Sequence, residues 1–269
     1  MSAGEWAEYT TRSLPTGDDQ ATVALLPLGA VEQHGPHLPL STDTCIAEGL
    51  SRAALAQCDD ALPVLRLPTL ALGQGIEHAD YAGTLALKPS TLEALLYDLG
   101  ASVAAAGVRR LVMFTAHGGN LAGMETAALR LRQRFGLLVI KACYFDFPPP
   151  ADAISAREAQ EGLHGGALET ALMQHFAPDQ VDARAIGHAP SVMFDALAGF
   201  EWIGAEGRPA RFAWLAGDLN PAGVCGDARS ADAALGARLA DHYAASLAAI
   251  LAEAARFPLH RLSGPSRKD

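Results

Sequence analysis

The stretch Leu111-Val-Met-Phe-Thr-Ala-His-Gly-Gly-Asn120, read together with residues 121–145, decides the fold class. Its first five residues are a continuous apolar, β-leaning run, the pattern of a strand buried on both faces. Leu121 to Phe135 then carry a helical pattern, and a further extended run covers Gly136 to Phe145. Parallel neighbours in a sheet need a crossover, and an unbroken apolar strand needs cover on both sides. Strand, helix, strand in this order therefore predicts an α/β protein, with helices packed on both faces of a parallel sheet.

The rest of the chain repeats the pattern upstream. Ala21-Thr-Val-Ala-Leu-Leu-Pro-Leu28 reads as a strand ending at Gly29, and Thr44 to Ala56 as a helix with Ile46, Leu50 and Ala54 on one stripe. Val64 to Leu72 is a second apolar run. Ser90-Thr-Leu-Glu93 has the form of a capping box, ahead of Leu92, Leu95, Leu96 and Leu99 at helical spacing. That helix is expected to stop near Gly107, and Asn120 is expected to cap the helix that follows it. Helices are also expected over Ala167 to Phe176 and Ala231 to Ala255. Residues 187 to 229 read as loop or short strands, and Ser263 to Asp269 as a disordered tail.

Composition narrows the function. Half of the 269 residues are apolar, enough for a substantial core, and no linker or composition shift divides the chain, so one domain is expected. Twenty basic against thirty acidic residues leave a net charge of −10, which argues against nucleic acid or an anionic membrane as the main partner. Cys45, Cys58, Cys143 and Cys225 have no metal-ligand spacing and read as reduced, buried residues. With no signal-peptide core near the start and no bilayer-length apolar run, the expectation is a cytoplasmic protein.

The chemistry collects after the strands. Glu32 and His34 follow one strand, His117 follows another, and open parallel sheets bind ligands beyond the carboxyl ends of their strands. Residues 32 and 34 point the same way in extended backbone, and Asp43 lies close in sequence. Carboxylate with imidazole suits Zn²⁺ or Mn²⁺ better than an all-oxygen Mg²⁺ or Ca²⁺ site. Gly118 and Gly119 bring no side chain to obstruct a metal or substrate, and His164-Gly-Gly-Ala-Leu-Glu169 adds another imidazole and carboxylate. Glu77 and His78, in a glycine-bearing loop, are candidates for substrate contact or for plain structural roles. His37, His175, His188, His242 and His260 read as structural or solvated. The absence of a G-x-S-x-G elbow argues against a serine hydrolase, and Gly73-x-Gly75-x-x-His78 departs from a dinucleotide fingerprint at its last position.

Several blocks together resemble the creatininase (creatinine amidohydrolase) family. They are Leu28-Gly-Ala-Val-Glu-Gln-His-Gly-Pro-His-Leu-Pro-Leu-Ser-Thr-Asp-Thr44, Gly73-x-x-x-Glu77-His78 with Gly83-Thr84-Leu85, Ala116-His-Gly-Gly-Asn120, His164-Gly-Gly-x-x-Glu-Thr170 and Gly223-Val-Cys-Gly-Asp227. The resemblance implies a three-layer α/β/α sandwich with a mainly parallel sheet, one domain over residues 1–269 (core about 6–257, tail 258–269) and assembly as a homo-oligomer, usually a hexamer. It implies two divalent ions, Zn or Mn, held by Glu32, His34, Asp43 and His117 with Asp43 bridging, and His164 as the acid/base group. Creatininase proper has a metal-binding Glu where this chain has Gly119, so the resemblance to relatives sharing that glycine makes Glu169 the fifth ligand. The tryptophans that creatininase places around its substrate have no counterpart between residues 145 and 200. The implied reaction is hydrolysis of a carbon–nitrogen bond in a small cyclic or acyclic amide. A formamide hydrolase, a peptidase of cofactor biosynthesis and a non-catalytic metal-binding module are the alternatives.

Overall fold

A computed structural model describes residues 3–15 and 21–265. Five strands form one sheet: β1 (Gly4–Glu5), β2 (Val23–Leu28), β3 (Val64–Arg66), β4 (Arg110–Thr115) and β5 (Leu138–Cys143). All pairs are parallel and the spatial order is β1-β3-β2-β4-β5. The eight helices of the described residues are α1 (Thr42–Gln57), α2 (Pro89–Ala105), α3 (Leu121–Phe135), α4 (Ala156–Glu161), α5 (Ala167–Phe176), α6 (Val192–Ala196), α7 (Ala216–Leu219) and α8 (Ala233–Arg256), besides short 3₁₀ turns.

The central strands feed two cores by simple alternation, since successive side chains leave a strand on opposite faces. Val23, Leu25, Val112 and Phe114 meet Ile46 and Leu50 of α1, Leu172 of α5, and Leu239, Tyr243 and Leu247 of α8. Ala24, Leu26, Leu28, Leu111 and Met113 meet Leu92 and Leu96 of α2, and Met124 and Leu131 of α3. Each fully buried Leu or Phe is worth roughly 1.5–3 kcal/mol, so both faces need their helices. The result is a three-layer α/β/α sandwich. From β2 the chain steps to β3 on one side, then returns past β2 to β4 on the other. The carboxyl ends of β2 and β4 thus flank a topological switch point, where α/β sheets open a binding crevice.

Local departures from the sequence reading have local causes. The apolar run after Val64 is a strand only to Arg66, because Pro27, the next residue of β2 to face β3, has no N–H for the Leu67 carbonyl; Leu70 then bridges back to Leu28. The two-residue edge strand β1 is too short to leave a pattern. Helix α2 begins at Pro89 with Lys88 as N-cap and no side-chain cap bond. Proline's fixed φ suits the first helical position, so Ser90 lies inside the helix, and Glu93 pairs with Arg130 at 2.7 Å instead of closing a capping box. Cys143 and Cys225 are buried as expected, while Cys45 and Cys58 are half-buried; all four are free. In the expected disordered tail, the Ser263 carbonyl accepts from Arg132, and residues 266–269 lie outside the described residues. Among the described residues no helix is long and apolar enough to cross a membrane.

Candidate metal centre

Three segments deliver charged side chains to the switch point. The loop leaving β2 carries Glu32 and His34, the turn leaving β4 carries His117, and Asp43 occupies the first turn of α1, where a helix N-terminus favours negative charge. Gly29 makes this convergence possible. A Cβ there would lie 2.5 Å from Thr44 Cα, so only glycine lets α1 start against the end of β2. The later segment 164–169 adds His164 and, from the first turn of α5, Glu169. Glu32, His34, Asp43, His117, His164, Glu169 and His78 are all buried.

Two triads share one carboxylate. Glu32, Asp43 and His117 form one group, and His34, Asp43 and Glu169 the other, each with its potential ligand atoms within 4.8 Å of one another. Asp43 divides its oxygens between them: Oδ1 lies 3.1 Å from His34 Nε2, and Oδ2 lies 3.3 Å from His117 Nδ1. His117 Nδ1 is also 3.2 Å from Glu32 Oε1, and His34 Nε2 is 3.8 Å from Glu169 Oε1. The other Glu169 oxygen accepts the Gly165 N–H at 2.5 Å, which aims the free one at His34. A third group, Glu32, His34 and His164, overlaps both.

Glu32 Oε1 and Oε2 and Asp43 Oδ2 are buried with no hydrogen-bond partner. Leaving such atoms unsatisfied costs more than a hydrogen bond returns, and a cation is the partner that suits three orphaned carboxylate oxygens beside imidazoles. The residues therefore fit a divalent metal site. The ion-free electrostatics agree. Burial, and then Asp43, push the Glu32 carboxyl up to about 7. Burial alone would raise Asp43 too, but His34 and His117 hold it well below the usual carboxylate range. Burial opposes protonation of His34 and His117, yet Asp43 with Glu169, and Glu32 with Asp43, carry these rings well above the ordinary imidazole value. Burial, followed by His34, pushes His164 down to about 4, and burial beside His164 and His117 lowers His78 strongly.

A second layer of polar contacts fixes these side chains. Asn120 does not cap α3. Its Nδ2 donates to the Gly29 carbonyl at 3.0 Å and its Oδ1 accepts the Gln74 N–H at 3.0 Å, tying the ends of β2 and β4 to the 73–78 loop. The Gln74 carbonyl in turn lies 2.5 Å from His117 Nε2, so this nitrogen donates and Nδ1 is left to face the carboxylates. Glu77 Oε1 sits 3.6 Å from the same Nε2. A Cβ on Gly119 would fall 2.4 Å from both Glu77 Oε1 and His117 Nε2; Gly118, by contrast, faces open space. The carboxylate of Glu77 thus occupies the direction in which a residue-119 side chain would project.

All the candidate site residues of the sequence reading gather at this edge of the sheet; His175, His188, His242 and His260 stay out of it. His37 is buried and meets Thr170 Oγ1 at 2.9 Å, beside Glu169. Three contributors had no role assigned to them in the sequence. Gln33 sits between Glu32 and His34, but its type suggests no ligand. Trp214 reaches the edge of His78, ring centroids 6.5 Å apart, from 136 positions downstream. Glu158 of α4 is buried and accepts the N–H groups of Ala167 and Asp227, each at 2.7 Å, which anchors the start of α5.

Comparison with known proteins points the same way. The family model described as creatinine amidohydrolase matches residues 7–251. A mycofactocin precursor peptide peptidase of Mycobacterium ulcerans (strain Agy99) is 32% identical over 245 residues, covering 88% of this chain and 86% of the relative. A creatinine amidohydrolase of Pseudomonas putida is 31% identical over 205 residues, covering 69% of this chain and 75% of that one. A solved creatininase structure described as the Mn form superposes with a TM-score of 0.74 over 96% of this chain and 100% of its own, at 23% identity, a likeness that carries the fold.

Proposed function

The chain belongs to the creatininase (creatinine amidohydrolase) family, and on that footing we propose that it is a dinuclear metal-dependent amidohydrolase cleaving a carbon–nitrogen bond of a small cyclic or acyclic amide. The observation that carries the reading is the Asp43 carboxylate, which turns one oxygen to each of two ligand triads amid three orphaned acceptors. Glu32, Asp43 and His117 would hold one ion, and His34, Asp43 and Glu169 the other, with Zn and Mn as the metals this donor set favours. Bound there, two such ions supply Lewis acidity toward a carbonyl and a lowered pKa for water.

The chain's own residues handle the proton. His164 Nε2 donates to the Gln33 carbonyl at 2.7 Å, which leaves the Nδ1 lone pair turned toward the carboxylates, 3.9 Å from Glu32 Oε1. Nδ1 takes a proton from the attacking water as the new carbon–oxygen bond forms. The carbon–nitrogen bond then breaks and the nitrogen leaves with that proton. Gly118 faces open space beside His117, and the partly exposed Glu77 and the buried His78 are the groups expected to meet the substrate.

A peptide amide is the second reading, favoured by the peptidase relative that aligns with most of the chain. A homo-oligomeric cytoplasmic enzyme with a single domain is the accompanying expectation. The test is elemental analysis for Zn and Mn together with hydrolysis assays on creatinine, formamides, lactams and short peptides. Two ions per chain and chelator-sensitive cleavage of one amide class are expected. A protein that binds no divalent ion with Asp43 intact would sink the reading, while tight ion binding without any turnover would favour a non-catalytic module.

A further inference from the structure

Gln33 sits between the two ligands of the first loop, and every polar group of its side chain is engaged. Its Oε1 accepts the Gly35 N–H at 3.0 Å, and its Nε2 donates to the Gly223 carbonyl at 2.5 Å. The first of these partners can only donate and the second can only accept. The amide therefore has one orientation, since exchanging its ends would set oxygen against oxygen and hydrogen against hydrogen. The second hydrogen on Nε2 meets His78 Nδ1 at 3.1 Å. A donor there requires a lone pair on Nδ1, so the His78 proton resides on Nε2.

The main-chain carbonyl of the same residue treats the neighbouring ring in the opposite sense. It accepts from His164 Nε2 at 2.7 Å, so His164 carries its proton on Nε2 and a lone pair on Nδ1. The two rings are stacked, with centroids 4.0 Å apart and planes at 27°. Each turns its remaining nitrogen to the same place: His78 Nε2 lies 3.4 Å and His164 Nδ1 lies 3.9 Å from Glu32 Oε1. That oxygen makes no hydrogen bond, so neither nitrogen is consumed by it.

We propose that Gln33 is a positioning residue that holds His78 and His164 in complementary tautomers, offering a bound amide an N–H for its carbonyl oxygen and its attacking water a proton acceptor. The roles of the two nitrogens rest on the amidohydrolase reading, whereas the tautomers do not. In the hydrolytic step His78 keeps its proton and only donates a hydrogen bond to the oxygen that gains charge. His164 Nδ1 receives the water proton and passes it to the departing nitrogen, while its Nε2–H stays on the Gln33 carbonyl.

The test is nitrogen NMR of protein labelled with ¹⁵N in its histidine rings, ion-free and zinc-loaded, with H78Q used to assign the His78 signals. The native protein is expected to place protons on His78 Nε2 and His164 Nε2. In Gln33→Glu the new carboxylate can only accept, so a proton must appear on His78 Nδ1. In Gln33→Met, close in volume but without hydrogen bonds, His78 is expected to populate both tautomers. Metal content should stay at the native level while kcat falls about 10–100-fold with KM little changed, the usual cost of losing a partner behind an active-site group. A native His78 protonated on Nδ1 would overturn the proposal. So would Gln33→Glu, or Gln33→Met if the former does not fold, retaining the native His78 pattern. Native-like tautomers in a protein that hydrolyses no amide would remove the catalytic reading and leave the tautomer assignment standing.

Discussion

Replacing Gly119 by alanine should cost this protein one of the two metal ions proposed for it. The Cβ would lie 2.4 Å from Glu77 Oε1, 2.4 Å from His117 Nε2 and 2.5 Å from the Gln74 carbonyl oxygen, whereas ordinary contact starts at 3.4 Å. Each approach is short by about 1 Å. Glu77 is the end of a flexible, partly exposed side chain and can swing away. The other two obstacles cannot yield so easily: the Gln74 carbonyl is backbone, held by Asn120, and the His117 ring is fastened to that carbonyl at 2.5 Å. Overpacking of this kind costs about 1–3 kcal/mol, which at about 2–4 °C per kcal/mol for a chain of this size predicts a Tm lower by about 2–12 °C. The ring would have to move by about 1 Å, enough to cost about 100-fold in a placed catalytic group. The expected outcome is one tightly held ion per chain instead of two, with the Glu32–Asp43–His117 group emptied, read by elemental analysis after gel filtration alongside thermal unfolding. Gly119→Glu should fare no better, since the new carboxylate would begin from the same blocked Cβ. Retention of two ions with an unchanged Tm in Gly119→Ala would refute the steric argument.

Asp43→Asn should strip both ions, because both triads draw on that carboxylate, while Glu169→Gln should lose only one; metal analysis of the pair distinguishes a shared ligand from two independent ones. Metal binding should release protons. In the ion-free protein His34 and His117 are held above the ordinary imidazole value and Glu32 is pushed up to about 7, so protons compete with the ions and apparent affinity should rise with pH. Titration calorimetry in buffers of different ionisation enthalpy measures that release, and buffer-independent heats would contradict it. Glu158→Gln sets an amide NH₂ against one of the two backbone N–H groups that the carboxylate now accepts, at Ala167 and Asp227. The loss of a buried hydrogen bond is worth about 1–3 kcal/mol, visible as a lower Tm and as faster amide exchange at the start of α5.

How much of this was legible depends on the range over which each feature is encoded. The five-residue apolar run before His117, the helix after it and the strand beyond are local patterns with fixed periods, and Leu121–Phe135 and Ala167–Phe176 fall where the periodicity puts them. Capping was less legible. Ser90 and Asn120 are both residues that often cap helices, yet Pro89 preempted the first and tertiary hydrogen bonds claimed the second. The edge strand β1 owes its existence to pairing with β3, which two residues cannot announce.

For the candidate centre, the sequence alone determined the types of group and the end of the sheet to which they belong. Glu32, His34 and His117 follow strands that parallel pairing brings side by side, and the order of elements forces those ends together. Only the tertiary structure decided how the groups divide. The split of Asp43 between two triads, the free Glu169 oxygen turned on His34, the Glu77 carboxylate filling the space beside Gly119 and the fixed amide of Gln33 all depend on ångström distances between segments far apart in the chain. Periodicity reports which face a side chain takes within its own element. It carries no information about which atom of another element it will meet, and metal ligation and tautomer choice are decided by that atom.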